Sequence, residues 1–283
     1  MRPRTFDESA LSVSSGLVAS DIKLISTDFD GTLVPAFGGP SRFSDELIEL
    51  LTELRHRGVR WAVNTGRSPG LLKEAWENCG LDFHPDFALT SERDVYRPCD
   101  QRVGEWVDYG DWNQQTLAAH RELFAEAQPL LLEAIEVIKD RSRARILYNF
   151  DHVNGPSEPA GLITKTESEM NWVVDYLDSL KVQLPKLHYQ RNSIYLRFCH
   201  VDYDKGTALA ELGRLLAIPA ESIFAAGDHY NDLPMLDGRA AKHVACPANA
   251  IPEVKQTVRA ARGHVSAAED GYGLVDALKR HFV

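Results

Sequence analysis

Ile22-Lys23-Leu24-Ile25-Ser26-Thr27-Asp28-Phe29-Asp30-Gly31-Thr32-Leu33 is the stretch whose reading decides the fold. Residues 22–27 read as a strand, and the Asp28-Phe29-Asp30-Gly31-Thr32-Leu33 hexapeptide follows at its end. A strand alternates its side chains between two faces. The Gly31-Thr32 turn lets the chain leave extended geometry at once, so both carboxylates can reach one small volume above the sheet edge. Two acids placed there can share the chemistry, since one can attack while the other carries a proton. Taken alone, the segment also reads as an ordinary loop, because Asp, Gly and Thr all favour turns.

Downstream, Ala36-Phe37-Gly38-Gly39-Pro40 reads as a short flexible excursion. Ser44 is placed to cap a helix, with Asp45 and Glu46 in its first turn. Leu47, Leu50, Leu51 and Leu54 give that helix its apolar stripe, and Gly58 ends it. Residues 59–64 form a second strand. Ser68-Pro69 opens the next helix as N-cap and first residue, Gly80 closes it, and residues 87–90 form a third strand. Strand and helix in strict alternation predict a parallel sheet with crossover helices.

The rhythm changes after residue 92. Residues 102–109 read as a strand, and 113–140 as one or two helices interrupted near Pro129. Residues 145–150 alternate with strand period. Thr166 and Glu169 form a capping box before a helix that runs through Leu180. Residues 182–189 and 193–199 read as a hairpin turning at Arg191-Asn192. The α/β rhythm returns at Asp204, with a helix stripe of Ala208, Leu212, Leu215 and Leu216, a strand at 222–226 and a short strand around Val244. Helices near 251–260 and 273–281 finish the chain. The expected fold class is α/β: a Rossmann-like parallel sheet core with helices on both faces, plus an inserted α+β cap domain. The expected division is an N-terminal extension over 1–21, a core built from 22–91 and 201–283, and a cap over 92–200.

At 283 residues the chain fits two domains. With 31 basic and 41 acidic residues its net charge is −10, which argues against nucleic acid as a partner. A small anionic substrate remains compatible, because a few local cations can dominate a pocket. Cys79, Cys99, Cys199 and Cys246 have neither metal-ligand nor redox spacing, so free thiols in a reducing, cytoplasmic compartment are expected. No run of about 18 apolar residues predicts a transmembrane helix, so no membrane partner is expected. Residues 1–21 lack the apolar stretch of a secretory signal and read as a loosely held extension. Either a monomer or a homodimer is compatible with the sequence.

Four sites fall at predicted strand ends or helix starts, the edge of an open α/β sheet where ligands bind. They are Asp28 with Asp30; Asn64-Thr65-Gly66-Arg67; Asp204-Lys205-Gly206-Thr207; and Gly227-Asp228-His229-Tyr230-Asn231-Asp232. Each has an ordinary reading, such as a turn, a surface lysine or an N-cap. Together, in this order, they supply what phosphoryl transfer needs. The set resembles the four motifs of the haloacid dehalogenase superfamily, with Thr65 in the second and Lys205 in the third. Thr65 lies 37 positions after Asp28 and Lys205 lies 140 after Thr65, leaving room for a large insert only in the second interval. That arrangement, with the Thr-Gly-Arg and Asp-Lys-Gly-Thr-Ala-Leu wordings, resembles the type-two capped branch of Cof-type and sucrose-phosphatase-like enzymes.

The resemblance implies a phosphomonoester hydrolase acting on a sugar phosphate or similar small phosphorylated metabolite. Asp28 would be the nucleophile and Asp30 the general acid and base. Thr65, Gly66, Arg67, Lys205 and Asn231 would bind phosphate. Mg²⁺ would be held by Asp28, the backbone carbonyl of Asp30, Asp228 and, directly or through water, Asp232. Lys205 would also keep Asp28 ionised. On the strand over 193–199, Ile194, Leu196 and Phe198 face one side and Tyr195, Arg197 and Cys199 the other. Arg197, with Arg145, Lys186 and His188, could therefore place cations over the substrate, although antiparallel sheets commonly leave one face solvated. In place of the Asn-Gly turn common in this branch stands Thr90-Ser91-Glu92-Arg93, where Glu92 would repel phosphate unless paired by Arg93 or Arg67. A phosphomutase of the same superfamily and a non-catalytic phosphate-binding module are the alternatives.

Overall fold

In a computed structural model the protein is described over residues 21–36, 42–79, 81, 83–100, 102, 105–151 and 155–282. The expected N-terminal extension, the Gly38-Gly39-Pro40 excursion and the Gly80 helix stop lie outside those residues. The central sheet starts with β1 (Leu24–Thr27), β2 (Arg60–Asn64) and β3 (Phe87–Thr90), linked by α1 (Asp45–His56) and α2 (Pro69–Glu77). Local chemistry sets both helix starts: Ser44 Oγ accepts from the Leu47 N–H at 3.2 Å, and Ser68 Oγ caps the turn that Pro69 opens.

Two further strands extend this sheet: β4 (Asp94–Pro98) pairs antiparallel with β3, and β5 (Trp106–Asp108) antiparallel with β4. This corrects the expected start of the insert at residue 92: the chain makes two more passes on the core sheet before leaving it. Alternation gave no warning, because β4 and β5 edge a sheet whose interior is parallel. The strand expected at 102–109 shrinks to three residues.

The insert begins with α3 (Trp112–Arg141), a single 30-residue helix that runs through Pro129. The expected interruption does not occur. Leu123, Phe124, Ala127, Leu131, Ala134, Ile135 and Ile138 are all buried along it. That stripe continues on both sides of the proline and outweighs the one helix hydrogen bond a proline removes. Four antiparallel strands follow around α4 (Glu167–Leu180): β6 (Arg145–Asp151), β7 (Gly155–Ile163), β8 (Leu187–Asn192) and β9 (Tyr195–His200), in the order β6-β7-β9-β8. The β8–β9 turn sits at Ser193-Ile194 rather than at Arg191-Asn192, with Asn192 paired to Tyr195 and Ser193 at φ +50°. Leu196 and Phe198 pack with Leu162 against α3 and α4, so the expected apolar face is the covered one. Residues on the opposite face, Arg197 and Gln190 among them, turn toward the core.

The chain then returns through α5 (Lys205–Leu216), β10 (Ile223–Ala226), α6 (Leu233–Leu236), β11 (His243–Cys246), α7 (Pro252–Ala260), β12 (His264–Val265) and α8 (Asp270–Phe282). The large sheet has the order β12-β11-β10-β1-β2-β3-β4-β5, parallel from β12 to β3. Strand order reverses between β1 and β10, and a crevice outside the carboxyl ends of strands at such a switch is where open α/β sheets bind ligands. Helices α1, α2 and α8 cover one face and α5, α6 and α7 the other. None of the helices described is long and apolar enough to cross a membrane.

Phe29 points down from the β1 turn into an aromatic cluster. Its ring centroid is 6.2 Å from that of Trp76, which in turn lies 5.6 Å from Phe43 and 5.6 Å from Trp61. Burying Phe29 forces its neighbours Asp28 and Asp30 toward the sheet's upper edge, so the cluster anchors the acids from below. Replacing the buried Trp76 by Ala should cost about 3–5 kcal/mol, the range for emptying a large aromatic site. Urea unfolding of Trp76→Ala checks this, and a loss below about 1 kcal/mol would contradict the anchoring role.

Candidate active site

Asp28 leaves β1 with its N–H on the Ala226 carbonyl of β10 at 2.9 Å, directly over the switch between the two strands. The turn after it closes through Leu33 and Val34, whose N–H groups both donate to the Phe29 carbonyl. Gly31 sits at φ +87°, and a Cβ there would lie 2.4 Å from Asp228 Oδ2. Only glycine lets the first and fourth motifs approach this closely. Thr32 Oγ1 donates to Asp228 Oδ1 at 3.0 Å, and Asn249 Nδ2 donates to the Gly31 carbonyl at 2.8 Å. Neither Thr32 nor Asn249 was expected in the site. Thr32 lay inside the quoted motif without a role, and only a turn before a helix marks Asn249.

Lys205 is the first residue of α5, behind a capping box in which Asp204 and Thr207 bond reciprocally. A helix start repels cations, so acids must hold this one. Lys205 Nζ donates to Asp28 Oδ1 and to Asp232 Oδ1, both at 2.6 Å, with all three groups buried. Asp232 Oδ2 accepts from the Asp228 and His229 N–H groups at 2.8 and 2.9 Å. Asn64 Nδ2 donates to the Lys205 carbonyl at 3.0 Å, tying the second motif to the third.

The charges do not balance. Burial, then Asp232, pushes the Asp28 carboxyl from its ordinary 3.8 up to about 7, and Lys205 offsets this only in part. Lys205, expected to keep Asp28 ionised, acts in that direction without overcoming burial and Asp232. Burial and the Asp28 charge likewise push Asp228 well up. Burial pulls Lys205 down, but Asp232, Asp28 and Glu92 outweigh it and hold the ammonium above its ordinary range. Carboxylate oxygens of Asp28, Asp228 and Asp232 lie within 4.8 Å of one another, and buried Asp28 Oδ2 has no hydrogen-bond partner. An all-oxygen, net-negative set with an open oxygen fits a hard divalent cation. Asp28 and Asp228 have that capacity, whereas both Asp232 oxygens already hold the lysine and two backbone donors. Asp232 belongs to the same oxygen cluster but has less capacity to spare, which suits a supporting or water-mediated place.

The carboxylate of Asp30 stands outside this cluster, in a two-pronged pair with Arg67 (Nε to Oδ2 at 2.8 Å, and 2.7 Å from the second prong to Oδ1). Arg67 was expected to bind phosphate; in the structure it clamps the second acid and stacks its guanidinium 5.1 Å over the Phe29 ring. Thr65 is buried, with its N–H on Leu89 and its Oγ1 accepting from the Arg67 N–H at 3.2 Å. Gly66 opens the loop toward Glu92: a Cβ at residue 66 would meet Glu92 Oε1 at 2.8 Å.

Glu92 differs most from expectation. Ser91 and Glu92 both adopt left-handed backbone, at φ +53° and +64°, which costs energy in residues with a side chain. The Ser91 N–H on Arg67 O and the Glu92 N–H on Thr65 O hold them there. Neither expected arginine pairs with the carboxylate. Arg93 goes to Asp94 and His120, Arg67 to Asp30, and Asn231 Nδ2 donates to Glu92 Oε1 at 2.8 Å. Asn231, expected on phosphate, is therefore engaged by Glu92. Burial raises the Glu92 carboxyl, and Oε2 is buried without a partner. Among the cap cations, Arg145 and Lys186 are exposed. His188 lines a cleft of about 430 Å³ that reaches Asn231, and Arg197 stands within the fields of Glu92 and Asp94.

A pH-dependent cost follows for the metal-free protein. A carboxyl raised from 3.8 to about 7 favours the folded state while protonated, and that contribution is lost as pH rises from about 4 through about 7. Asp28→Asn removes the penalty. In chelator at pH 8 its Tm should exceed that of wild type by at least about 2 °C, given about 2–4 °C per kcal/mol for a chain of this size. The difference should shrink as pH falls toward about 4. A Tm below wild type at pH 8 would contradict the charge imbalance.

A family model described as haloacid dehalogenase-like hydrolase matches residues 139–277, a stretch that takes in the third and fourth motifs. No curated protein sequence matches the chain. Among solved structures, the fold is similar to that of sucrose-phosphatase from Synechocystis sp. PCC6803 in complex with sucrose and phosphate, at 18% identity, TM-score 0.67, covering 93% of this chain and 98% of that one. It is also similar to a phosphatase of the haloalkanoate enzyme superfamily from Bacteroides thetaiotaomicron, at 20% identity and TM-score 0.61, covering 95% and 99%. A Plasmodium vivax chain described as HAD/COF-like matches at 20% identity and TM-score 0.63, covering 94% and 96%. Over residues 139–277 the chain is thus similar to haloacid dehalogenase-like hydrolases, and over nearly its whole length it shares the fold of these structures.

Proposed function

We propose that the protein is a Mg²⁺-dependent phosphomonoester hydrolase working through a phosphorylated Asp28, on a sugar phosphate or similar small metabolite. One observation carries this reading: Asp28 offers an unpartnered Oδ2 while its Oδ1 is held by Lys205 at 2.6 Å over the sheet's switch point. The open oxygen of Asp28 attacks phosphorus as the ester P–O bond breaks, and the leaving oxygen takes a proton. Asp30, two residues on and partly exposed, supplies that proton and later takes one from the hydrolytic water. Arg67 orients the Asp30 carboxyl and must loosen its grip for Asp30 to carry a proton. Lys205 and the Thr65 hydroxyl stabilise charge on the phosphoryl oxygens, with the N–H groups that follow Asp28 and Thr65. Asp28 and Asp228 would hold Mg²⁺, which would supply positive charge to offset phosphate and let Asp28 remain ionised.

The 430 Å³ cleft between cap and core has room for the leaving group, and its walls mix Tyr189 and Tyr230 with Asn171, Asp175 and Arg191. Aromatic faces beside polar groups suit a polyhydroxylated partner. Four unpaired thiols support a reducing, cytoplasmic setting.

A panel of phosphorylated metabolites assayed for phosphate release tests the reading. Activity should require Mg²⁺, vanish in excess chelator and return on adding magnesium. Phosphate transfer back to the substrate without net release would favour a phosphomutase, and no turnover of any kind a binding module. Asp28→Asn should abolish release, since an amide is a poor nucleophile. Asp30→Ala should lower kcat by roughly 10²–10⁴, the usual loss for a general acid–base. Near wild-type turnover by Asp28→Asn would sink the covalent route.

A further inference from the structure

A smaller cavity, of about 40 Å³, lies where the core-facing side of the cap sheet meets the turn after β3. Ser91, Arg93, His120, Gln190, Arg197 and Tyr203 are among its lining residues. Its position follows from sheet register. Gln190 of β8 lies directly opposite Arg197 of β9, and Gly161 of β7 flanks Arg197 on the other side. A Cβ at Gly161 would come within 3.0 Å of Arg197 Cα, so the strands close up there without a side chain.

The charges around the cavity are nearly all accounted for. Arg93 pairs with Asp94 at 3.1 Å and bonds His120 Nδ1 at 2.9 Å. Burial and Arg93 hold His120 down near 4, so its ring is neutral at ordinary pH, and its other nitrogen faces Glu158. Arg197 lies in the fields of Glu92 and Asp94 but touches neither. Its one hydrogen bond among the described residues is from Nε to the Tyr195 hydroxyl at 3.3 Å, and no carboxylate of those residues comes within 4 Å of it. Beside it, Gln190 Nε2 donates to the Tyr203 carbonyl at 3.1 Å while Oε1 is buried with no partner. A buried guanidinium with no carboxylate in contact and an acceptor without a donor are each costly away from water. Here they share one face and one cavity.

The two deficits are complementary. A carboxylate answers the guanidinium, and a hydroxyl on the next carbon answers the amide oxygen. About 40 Å³ is room for roughly three water-sized groups, which a carboxylate fits. Ser91 and Glu92 connect the cavity wall to the phosphate cradle through the Glu92 N–H on Thr65 O. We propose that this cavity is a second anion subsite, in which Arg197 and Gln190 take the carboxylate and neighbouring hydroxyl of a phosphorylated hydroxy acid whose phosphoryl group faces Asp28. The proposal rests on the hydrolase reading and narrows its substrate class.

Paired substrates test it. 3-Phosphoglycerate and glycerol 3-phosphate differ at the far carbon, which is a carboxylate in the first and a hydroxymethyl in the second. With Mg²⁺ present, wild-type kcat/KM should favour 3-phosphoglycerate by at least tenfold, mainly through KM. Arg197→Met should collapse that ratio toward one, and Arg197→Lys should restore part of it. Independently, glycerate, which carries no phosphoryl group, should raise the Tm of wild type and not that of Arg197→Met. Equal kcat/KM for the two esters in wild type, or a preference that survives Arg197→Met, would overturn the subsite while leaving hydrolysis intact. Stabilisation by glycerate that depends on Arg197, in a protein that releases phosphate from no ester, would support the subsite and end the hydrolase reading.

Discussion

One buried ammonium organises the upper edge of the large sheet. Lys205 Nζ sits 2.6 Å from Asp28 and 2.6 Å from Asp232, residues that arrive from β1 and from the loop after β10. It occupies the first turn of α5, where the helix dipole opposes a cation, and it is fully buried. Each group is intolerable there alone and acceptable together, because an unpaired buried charge costs several kcal/mol. Removing the lysine would leave three carboxylates in one small dry volume. The close backbone approach at Gly31, the Thr32 contact and the Asn249 brace all serve to keep that volume small.

The same pairing of charge extends outward. Asp30, which must exchange protons, is kept off the cluster by Arg67 and reaches solvent. Glu92 is brought in over Gly66 by two left-handed residues and answered by Asn231. The side of the phosphate cradle that faces the cap thus carries a carboxylate of its own, in whose field Arg197 stands. Cap and core meet through further polar contacts: the Ser193 N–H on the His229 ring at 3.1 Å, and Arg191 stacked 5.0 Å over Tyr230. These contacts join the cap hairpin to the fourth motif itself.

Much of this was legible in the chain because the informative residues are bound to local rules. Apolar runs ending in Asp28, Thr65 and Asp228 read as strand ends, Asp204 ahead of Lys205 read as a helix start, and the structure has both. The apolar side of β9 followed from alternation. What failed was non-local. Pro129 does not break α3, because packing on both sides of it outweighs one hydrogen bond. β4 and β5 join the core sheet because β3 has an open edge, which no period in the sequence reports. Arg67, Asn231 and Asp232 were expected to touch phosphate or metal, yet each is committed to a neighbour: Asp30, Glu92 and Lys205. Sequence shows which groups gather, but not how donors and acceptors divide among them once buried. Atoms left without a partner, Asp28 Oδ2, Glu92 Oε2 and Gln190 Oε1 among them, emerge only from that division.

The most direct test of the central role of Asp28 is chemical. The enzyme is acid-quenched during turnover of a phosphomonoester and treated with borohydride, which reduces an acyl phosphate to an alcohol, and the peptide spanning residues 22–34 is then sequenced by mass spectrometry. The expected result is homoserine at position 28, dependent on substrate and magnesium. Turnover with position 28 still aspartate and another acid reduced in its place would contradict the account.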